Sequence, residues 1–164
     1  MKRDNINIII CDSIDSSLKN INNIVDTIPL DENGNISFTT VAFINGIEWD
    51  VNKFDLHYFI ENLDINKTAY LGGIEFENDK KAKKRSNGSS EKGSHVNSSQ
   101  SIADMRFDDV NIPGEGAYEL QVFKYENDEV VDLSVKRAEE RIKYVNDEHL
   151  VAAYSFEVIK AENV

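Results

Sequence analysis

Apolar and polar residues alternate along most of this 164-residue chain. The clearest runs are 117–125 and 150–159, in which large apolar side chains recur at every second position. A repeat of this kind is typical of a β-strand that buries one face, whereas an amphipathic helix repeats every ~3.6 residues. The pattern therefore predicts an all-β protein.

Seven or eight short strands are predicted, with turn signals between them. Segment 21–28 also fits a helical stripe, but its alternation favours a strand. Asn33-Gly34 is a strong hairpin-turn signal, because both residues tolerate positive φ. Short strands at this spacing predict an antiparallel sandwich. The predicted strands are 6–10, 21–28, 36–44, 56–60, 68–76, 105–112, 117–125 and 150–159.

The length fits one folding unit over residues 1–164. A chain of this size buries ~70% of the surface that it exposes when unfolded, so it needs no metal or disulfide to fold. The only cysteine, Cys11, lies in an apolar run, which excludes an intrachain disulfide and predicts a packed thiol. That run is too short for a signal peptide or a membrane span. We therefore expect a cytoplasmic protein.

Residues 78–102 interrupt the alternation. They are mostly Lys, Ser, Asn and Gly, which predicts a flexible, low-complexity loop that buries too little surface to order itself. Six basic and two acidic side chains give the segment a charge of +4, which leaves −16 for the rest of the chain. The cluster is a candidate contact for an acidic partner, and a solvated linker is the alternative. Its members are Lys80, Lys81, Lys83, Lys84 and Arg85.

A second insertion, 126–149, separates the last two predicted strands. Apolar residues at helical spacing predict one short amphipathic helix over about 134–145, supported by pairs of opposite charge four residues apart. The apolar stripe consists of Val135, Ala138, Ile142 and Val145. The charged candidates for interaction in this insertion are Asp128, Glu129, Arg137 and Arg141.

The stretch Pro113–Val122 starts with a Pro-Gly-Glu-Gly turn and continues as an alternating strand. It resembles the turn and penultimate strand of immunoglobulin-like sandwiches, in which Gly-x-Tyr leads the strand, and Tyr118 is similar to the tyrosine-corner residue. The order of segments also resembles a family of small uncharacterised bacterial cytoplasmic proteins. In that family an opening strand ends near Cys-Asp-Ser, here residues 11–13, and the closing strand is like 154–158. The resemblance implies an immunoglobulin-like sandwich and no activity.

The strand lettering of such sandwiches places the two insertions. The basic segment is expected to join D to E, the helical insertion F to G, and the turn at 29–35 B to C. These three connections leave an immunoglobulin-like sandwich at the same end. Long loops on a rigid scaffold usually carry recognition, so we expect function at that end.

The overall charge argues against one class of partner. With 18 Lys plus Arg against 30 Asp plus Glu, the net charge is −12. Phosphate backbones and anionic membrane surfaces are repelled by such a body. We therefore expect no direct binding of nucleic acid or membrane.

No pattern in the sequence predicts catalysis. Cys11 lies within a strand, no Gly-x-Ser-x-Gly elbow occurs, and the three histidines lack a zinc spacing. Residues 31–35 lack the full ligand alternation of a calcium loop, and Gly72-Gly73 indicates a bulge rather than a phosphate loop. Asp108-Asp109 is expected at a bulge or strand edge. We expect no catalytic, metal-binding or cofactor-binding residues.

The leading hypothesis is a non-enzymatic interaction module, bacterial or phage, that presents both insertions to a protein partner of unknown identity. A first alternative is an acidic inhibitor that mimics nucleic acid, which requires carboxylates concentrated on one face. A second alternative is a hydrolase with a site assembled from Asp108, Asp109 and Glu115. The oligomeric state stays open at this stage.

Overall fold

The computed structural model describes residues 5–14, 21–45, 53–77, 82–86, 96–97 and 102–161. Within these ranges eleven strands form two sheets. The strands are β1 (Asn5–Ile14), β2 (Ile21–Ile24), β3 (Thr27–Leu30), β4 (Asn35–Asn45), β5 (Lys53–Asn62), β6 (Lys67–Glu77), β7 (Ala82–Ser86), β8 (Val96–Asn97), β9 (Ile102–Asn111), β10 (Gly116–Glu126) and β11 (Leu150–Lys160). A single α-helix, α1 (Ala138–Arg141), lies in the described part between β10 and β11.

The order of the strands is that of a variable-type immunoglobulin sandwich. One sheet runs β2-β1-β4-β9-β8 and the other runs β3-β11-β10-β5-β6-β7. Strands β1, β4, β9 and β8 take the places of A, B, E and D, and β3, β11, β10, β5, β6 and β7 those of A′, G, F, C, C′ and C″. All pairs are antiparallel except β3 with β11. The predicted all-β, immunoglobulin-like sandwich is confirmed.

The core lies between the sheets and explains the alternation. Even-numbered residues of β5, such as Leu56 and Tyr58, face the other sheet and are fully buried. Rings meet across the interface, since Tyr58 lies 5.7 Å from Phe107 and Phe38 lies 6.1 Å from Phe156, centroid to centroid. Aromatic pairs at such distances add to the burial of apolar area that holds the two layers together.

The tyrosine corner links the short turn between β9 and β10 to the end of β5. The hydroxyl of Tyr118 donates to the carbonyl oxygen of Gly114 at 2.7 Å and accepts from the side-chain amide of Asn62 at 3.0 Å. This bond back to the preceding turn defines the corner in immunoglobulin-like domains. The interpretation of Tyr118 from the sequence is confirmed.

The segment 21–28 is two strands rather than one. β2 pairs with β1 in the first sheet, and β3 pairs in parallel with β11 in the second. The chain changes sheet at Val25 and Asp26, where the backbone N–H of Val25 bonds to Ile10 and the carbonyl of Asp26 accepts from Glu157. Alternation predicts strands but not the sheet that each one joins. This split and the two strands within 78–102 raise the number of strands from the predicted seven or eight to eleven.

The turn after β3 has the predicted residues but a different role. Asp31 accepts hydrogen bonds from the amides of Asn33 and Asn35, and Gly34 adopts φ +77°. The turn links strands in different sheets, so it is not a hairpin. It also lies at the end of the sandwich opposite to the F–G insertion, because Asn35 pairs with Asn111. The prediction that residues 29–35 join B to C is wrong, since B to C is 46–52, outside the described residues.

Two predicted bulges are present. The register between β4 and β9 shifts between Ile36 and Phe38, which leaves Asp108 and Asp109 out of the regular pairing, and Asp109 has φ +54°. The register between β5 and β6 shifts where Phe59 pairs with Tyr70 and Tyr58 pairs with Gly72. The first shift lies at the predicted pair Asp108-Asp109, whereas the second leaves out Leu71, the residue before the predicted pair Gly72-Gly73.

The basic segment 78–102 is not a single loop, which corrects the prediction. Residues 82–86 form β7, which pairs with β6 as the outermost described strand of its sheet, and 96–97 form β8. The segment therefore spans C′ to E rather than D to E. An outer strand pairs through its backbone and need not bury apolar side chains, so a polar composition does not exclude it.

No helix in the described ranges is long and apolar enough to cross a membrane.

Candidate interaction site

The F–G insertion, residues 127–149, lies at the end of the sandwich where several connections meet. Lys53, Glu77 and Glu126 are neighbours there, because β5 pairs with both β6 and β10. The connections B–C, C′–C″ and F–G all start from this end, which we call the F–G end. The expectation that the basic segment and the helical insertion share an end holds for its C′–C″ part.

The insertion contains less helix than predicted. It consists of 3₁₀ turns at Asn127–Glu129, Leu133–Val135 and Ile142–Tyr144, and of α1. The carboxylate of Asp132 accepts from the backbone amide of Ser134, which caps the second turn. Lys136 and Glu140 form the predicted pair at 3.8 Å. The expected helix over 134–145 is thus a four-residue helix between two tight turns.

A second apolar cluster fixes the insertion to the outer face of the F–C–C′ sheet. Leu133 of the insertion is fully buried against rings that point away from the main core. Two of these rings, Phe59 and Phe123, meet edge to face at 5.5 Å. The insertion therefore covers part of the sheet as a packed layer. The buried members of this cluster are Phe59, Tyr70, Phe123, Tyr125 and Leu133.

A buried polar pair lies beneath the insertion. Nε2 of His57 lies 3.0 Å from Oδ2 of Asp55, and both side chains are 0% exposed. The same carboxylate oxygen accepts the backbone N–H of Val131 at 3.0 Å, which connects β5 to the insertion. A Cβ on Gly73 would lie 3.1 Å from His57 Nδ1 and 3.1 Å from Tyr70 Oη, so glycine provides room for both side chains.

Arg141 acts inside the insertion. Its guanidinium donates to the carbonyl oxygens of Leu133 and Ser134 and lies 4.9 Å from the centre of the Tyr70 ring. The arginine therefore closes the turn and stacks on the sheet. Arg141, one of the predicted interaction residues, therefore has its charged group occupied by internal contacts.

Tyr125 is the centre of a hydrogen-bond network at the neck of the insertion, the place where the insertion leaves β10 and enters β11. Its hydroxyl donates to the carbonyl oxygen of Tyr144 at 2.7 Å and accepts from the Asn146 side-chain amide at 3.0 Å. The ring of His149 stacks on Tyr125 at 4.0 Å, and its Nε2 lies 3.0 Å from Oε2 of Glu129. Burial raises the pKa of Tyr125 to about 12, because the phenolate would lose hydration in this layer.

The outward side of the insertion is partly apolar, which corrects the predicted stripe. Val135 is 81% exposed, Ile142 is 49% exposed and Ala138 is also exposed. Val145 alone of the four packs against the second cluster. Leu133, which lies outside the predicted stripe, provides the buried anchor instead. Because α1 has only one turn, residues three and four apart do not share a continuous face.

The other predicted interaction residues are placed as follows. Asp128 and Arg137 are exposed, and Glu129 is exposed while contacting His149. Lys80 and Lys81 lie outside the described residues. Lys83, Lys84 and Arg85 occupy β7, at positions opposite Glu75, Ile74 and Gly73. Lysine on an outer strand also hinders pairing with the edge of another sheet, which gives the cluster a structural reading beside the functional one.

The acids proposed for a hydrolase do not converge. Asp108 pairs with Arg106 at 2.9 Å, Glu115 accepts the backbone amide of Lys160, and the backbone amide of Asp109 donates to Ser37. Among the residues with described positions, no group of three or more His, Cys, Asp or Glu side chains could hold a metal ion. Exposed carboxylates occur at both ends of the sandwich, for example Asp31 and Glu139.

Cys11 is buried, as predicted. The thiol has no exposed surface, and burial raises its pKa, with a further contribution from Asp12 and Asp104. A thiol with a raised pKa is a poor nucleophile because the thiolate is the reactive form. This environment suits a packed side chain.

An open groove beside the tyrosine corner lies at the opposite end. It encloses about 480 Å³ between the start of β6 and the end of β9. Lys67 is the charged side chain in its lining, and the remainder includes Ile112, Pro113 and Tyr118. No carboxylate, histidine or cysteine side chain of the described residues lines this groove.

Sequence reasoning did not identify the Asp55–His57 pair. Neither residue belongs to the predicted interaction residues, and the spacing of the three histidines does not indicate a zinc site. The signal was present, because Asp55, His57 and Phe59 alternate on one face of a strand whose other face is apolar. Two ionisable residues on one face of an otherwise buried strand indicate that the face is covered by another part of the chain.

No protein family model matches this chain, and no curated protein is significantly similar to it.

Proposed function

We propose that the protein is a non-enzymatic interaction module that contacts a protein partner through the outward side of its F–G insertion. The observation that carries the proposal is the two-sided character of the F–G insertion. One side is anchored through Leu133 and Val131, and the other presents Val135 and Ile142 to solvent. Exposed apolar side chains on a fixed support are suited to burial against a second protein.

The surroundings of these two side chains support the same proposal. Arg137, Glu139 and Lys143 are exposed along the same insertion. A small apolar centre with a charged rim is the usual composition of a protein interface. Since the insertion carries both signs of charge, complementary charges on the partner would set orientation rather than provide most of the affinity.

The position of the insertion adds support by analogy of fold. Antibody variable domains recognise ligands with the B–C, C′–C″ and F–G connections of one end. The strands that these connections join end at the F–G end here. The analogy concerns geometry alone, because one fold can carry many functions.

A capture experiment tests the proposal. The intact protein, a Val135→Ser/Ile142→Ser variant and a Leu63→Ser/Ile65→Ser variant would be used as baits in lysate of the native host. Leu63 and Ile65 are matched controls, since they are exposed apolar residues of the turn at the opposite end. We expect a partner held by the intact protein and the control but weakened at least about tenfold by the first variant. Equal capture by all three baits would contradict the proposal.

The basic cluster is tested separately. Deleting residues 79–101 would remove β7 and β8, so a loss of binding after that deletion would not identify a contact. Lys80→Gln/Lys81→Gln changes charge within the C′–C″ connection and leaves both strands intact. If the cluster contacts an acidic surface, this variant weakens capture at low salt and matches the intact protein at high salt. Unchanged capture at both salt concentrations would remove these lysines from the proposed surface.

A further inference from the structure

One side-chain contact joins the first turn of the F–G insertion directly to its last residue. Glu129 lies three residues after β10, and His149 immediately precedes β11. Their contact at 3.0 Å spans 20 residues of sequence. The contact therefore connects the first turn of the insertion, Asn127–Glu129, to its last residue.

The hydrogen-bond directions around His149 follow from Tyr125. The Tyr125 hydroxyl has one proton, and the carbonyl of Tyr144 at 2.7 Å can only accept it. The contact of the same oxygen with Asn146 at 3.0 Å must then use the NH₂ group of the amide as donor. The oxygen of Asn146 is thereby turned towards His149, where it accepts the backbone N–H at 3.1 Å.

Both ring nitrogens of His149 consequently face acceptors. Nδ1 lies 2.7 Å from the side-chain oxygen of Asn146, and Nε2 lies 3.0 Å from the Glu129 carboxylate. A neutral imidazole has a single N–H, so either tautomer leaves a lone pair facing an oxygen. The imidazolium alone donates on both sides.

We propose that His149 is a proton-operated clasp that closes the F–G insertion when its ring is protonated. In that state Glu129 and Asn146 each receive an N–H, and the two ends of the insertion are held together. When the ring loses its proton, one contact becomes repulsive and the neck loosens. The clasp is thus fully formed when both ring nitrogens carry a proton, and it is released when one of these protons is lost.

The groups around the ring favour this assignment. Glu129 is the carboxylate that faces Nε2, and Tyr125 stacks parallel to the ring with an interplanar angle of 11°. His57, paired with Asp55, lies 5.8 Å from the Tyr125 ring, and Tyr144 lies edge-on to Tyr125 at 5.4 Å. Tyr70, with Arg141 over its ring, lies 6.2 Å from His57 in the same layer.

Hydrogen exchange on the free protein tests the clasp. Protection of the amides in residues 130–145, corrected for intrinsic rates, would be compared between the intact protein, Glu129→Gln and Asp128→Asn. We expect protection in the intact protein to fall about two- to fivefold from pH 5 to pH 8, the range for a partly exposed ion pair. Asp128→Asn should behave like the intact protein, because Asp128 is an exposed neighbour with the same charge.

Glu129→Gln gives the decisive comparison. Its carboxamide can donate to a neutral Nε2, so protection in this variant should not depend on pH. Protection that is constant with pH in the intact protein, or that falls equally in Glu129→Gln, would overturn the clasp. Ring nitrogen resonances give a second measurement, since both nitrogens must be protonated at the acidic end of the range.

The consequence for binding rests on the proposed function, whereas the clasp itself does not. If the F–G end binds a partner, capture by the intact protein should weaken towards alkaline pH, and capture by Glu129→Gln should stay constant. If the exchange data support the clasp but Val135→Ser/Ile142→Ser does not affect capture, the proposed surface fails and the clasp stands.

Discussion

The carboxylate of Asp55 accepts a hydrogen bond at 3.0 Å from the backbone amide of Val131, 76 residues further along the chain. This bond ties the start of the F–G insertion to a central strand of the sheet that it covers. Both partners lie beside the buried ring of His57. The insertion is therefore part of the folded body, and its outward side is a defined surface rather than a free loop.

Removing this carboxylate should be costly. We expect Asp55→Ala to lower the free energy of unfolding by about 3 kcal/mol, because it leaves a buried histidine and a backbone amide without their partner. Urea unfolding of both proteins measures the difference. Asp128→Ala is the matched control and should remain within about 0.5 kcal/mol of the intact protein. Equal stability of the two variants would show that the Asp55 contacts are not important for folding.

Gly73 should not tolerate a side chain. An added Cβ would lie 2.9 Å from the carbonyl oxygen of Leu56, which is backbone and cannot move aside easily. We expect Gly73→Ala to destabilise the protein by about 1–3 kcal/mol through overpacking. Thermal unfolding followed by circular dichroism measures this. A melting temperature equal to that of the intact protein would contradict the tight packing described around His57 and Tyr70.

Stability should decline at alkaline pH through Tyr125. Its pKa is raised from 10.0 to about 12 by burial, so the native state retains a proton that the unfolded chain loses. The stabilisation is therefore complete below pH 10 and is lost as pH rises towards 12. Urea unfolding across this range should give a steeper decline for the intact protein than for Tyr125→Phe. Parallel declines would show that Tyr125 is not the source of the lost stability. Tyr118 and Tyr154, whose pKa values are also raised, would then be the next residues to test.

Cys11 should be protected from alkylation. The thiol is fully buried and its pKa is raised, so both access and ionisation disfavour reaction. We expect a thiol reagent to label the native protein far more slowly than the protein in denaturant, where labelling should reach one group per chain. Rapid labelling of the native protein would mean that β1 opens readily.

The sequence predicts the layered fold because strand alternation records which side chains are buried. β10 and β11 lie where their patterns place them, and the turn, the bulges and the tyrosine corner follow from local residue types. The change of sheet between β2 and β3 is not encoded locally, because it depends on pairing partners more than a hundred residues away. The sequence pattern does not predict β7, because an outer strand of a sheet pairs through its backbone and requires no apolar side chain.

The site was less predictable than the fold. The predicted helical stripe is wrong because the insertion follows the sheet beneath it and buries Leu133, while Val135 and Ile142 remain outside. The role of Arg141 depends on two carbonyl oxygens and a ring that converge only in the folded chain. The burial of Leu133 and the contacts of Arg141 both depend on tertiary packing, which local periodicity does not record.

The most direct test of the central claim is hydrogen exchange of the protein with and without its captured partner. If the F–G end is the interaction surface, binding should slow exchange in residues 130–145 and leave the opposite end, at 31–35, 62–67 and 112–116, unchanged. Slower exchange confined to the opposite end would contradict the account.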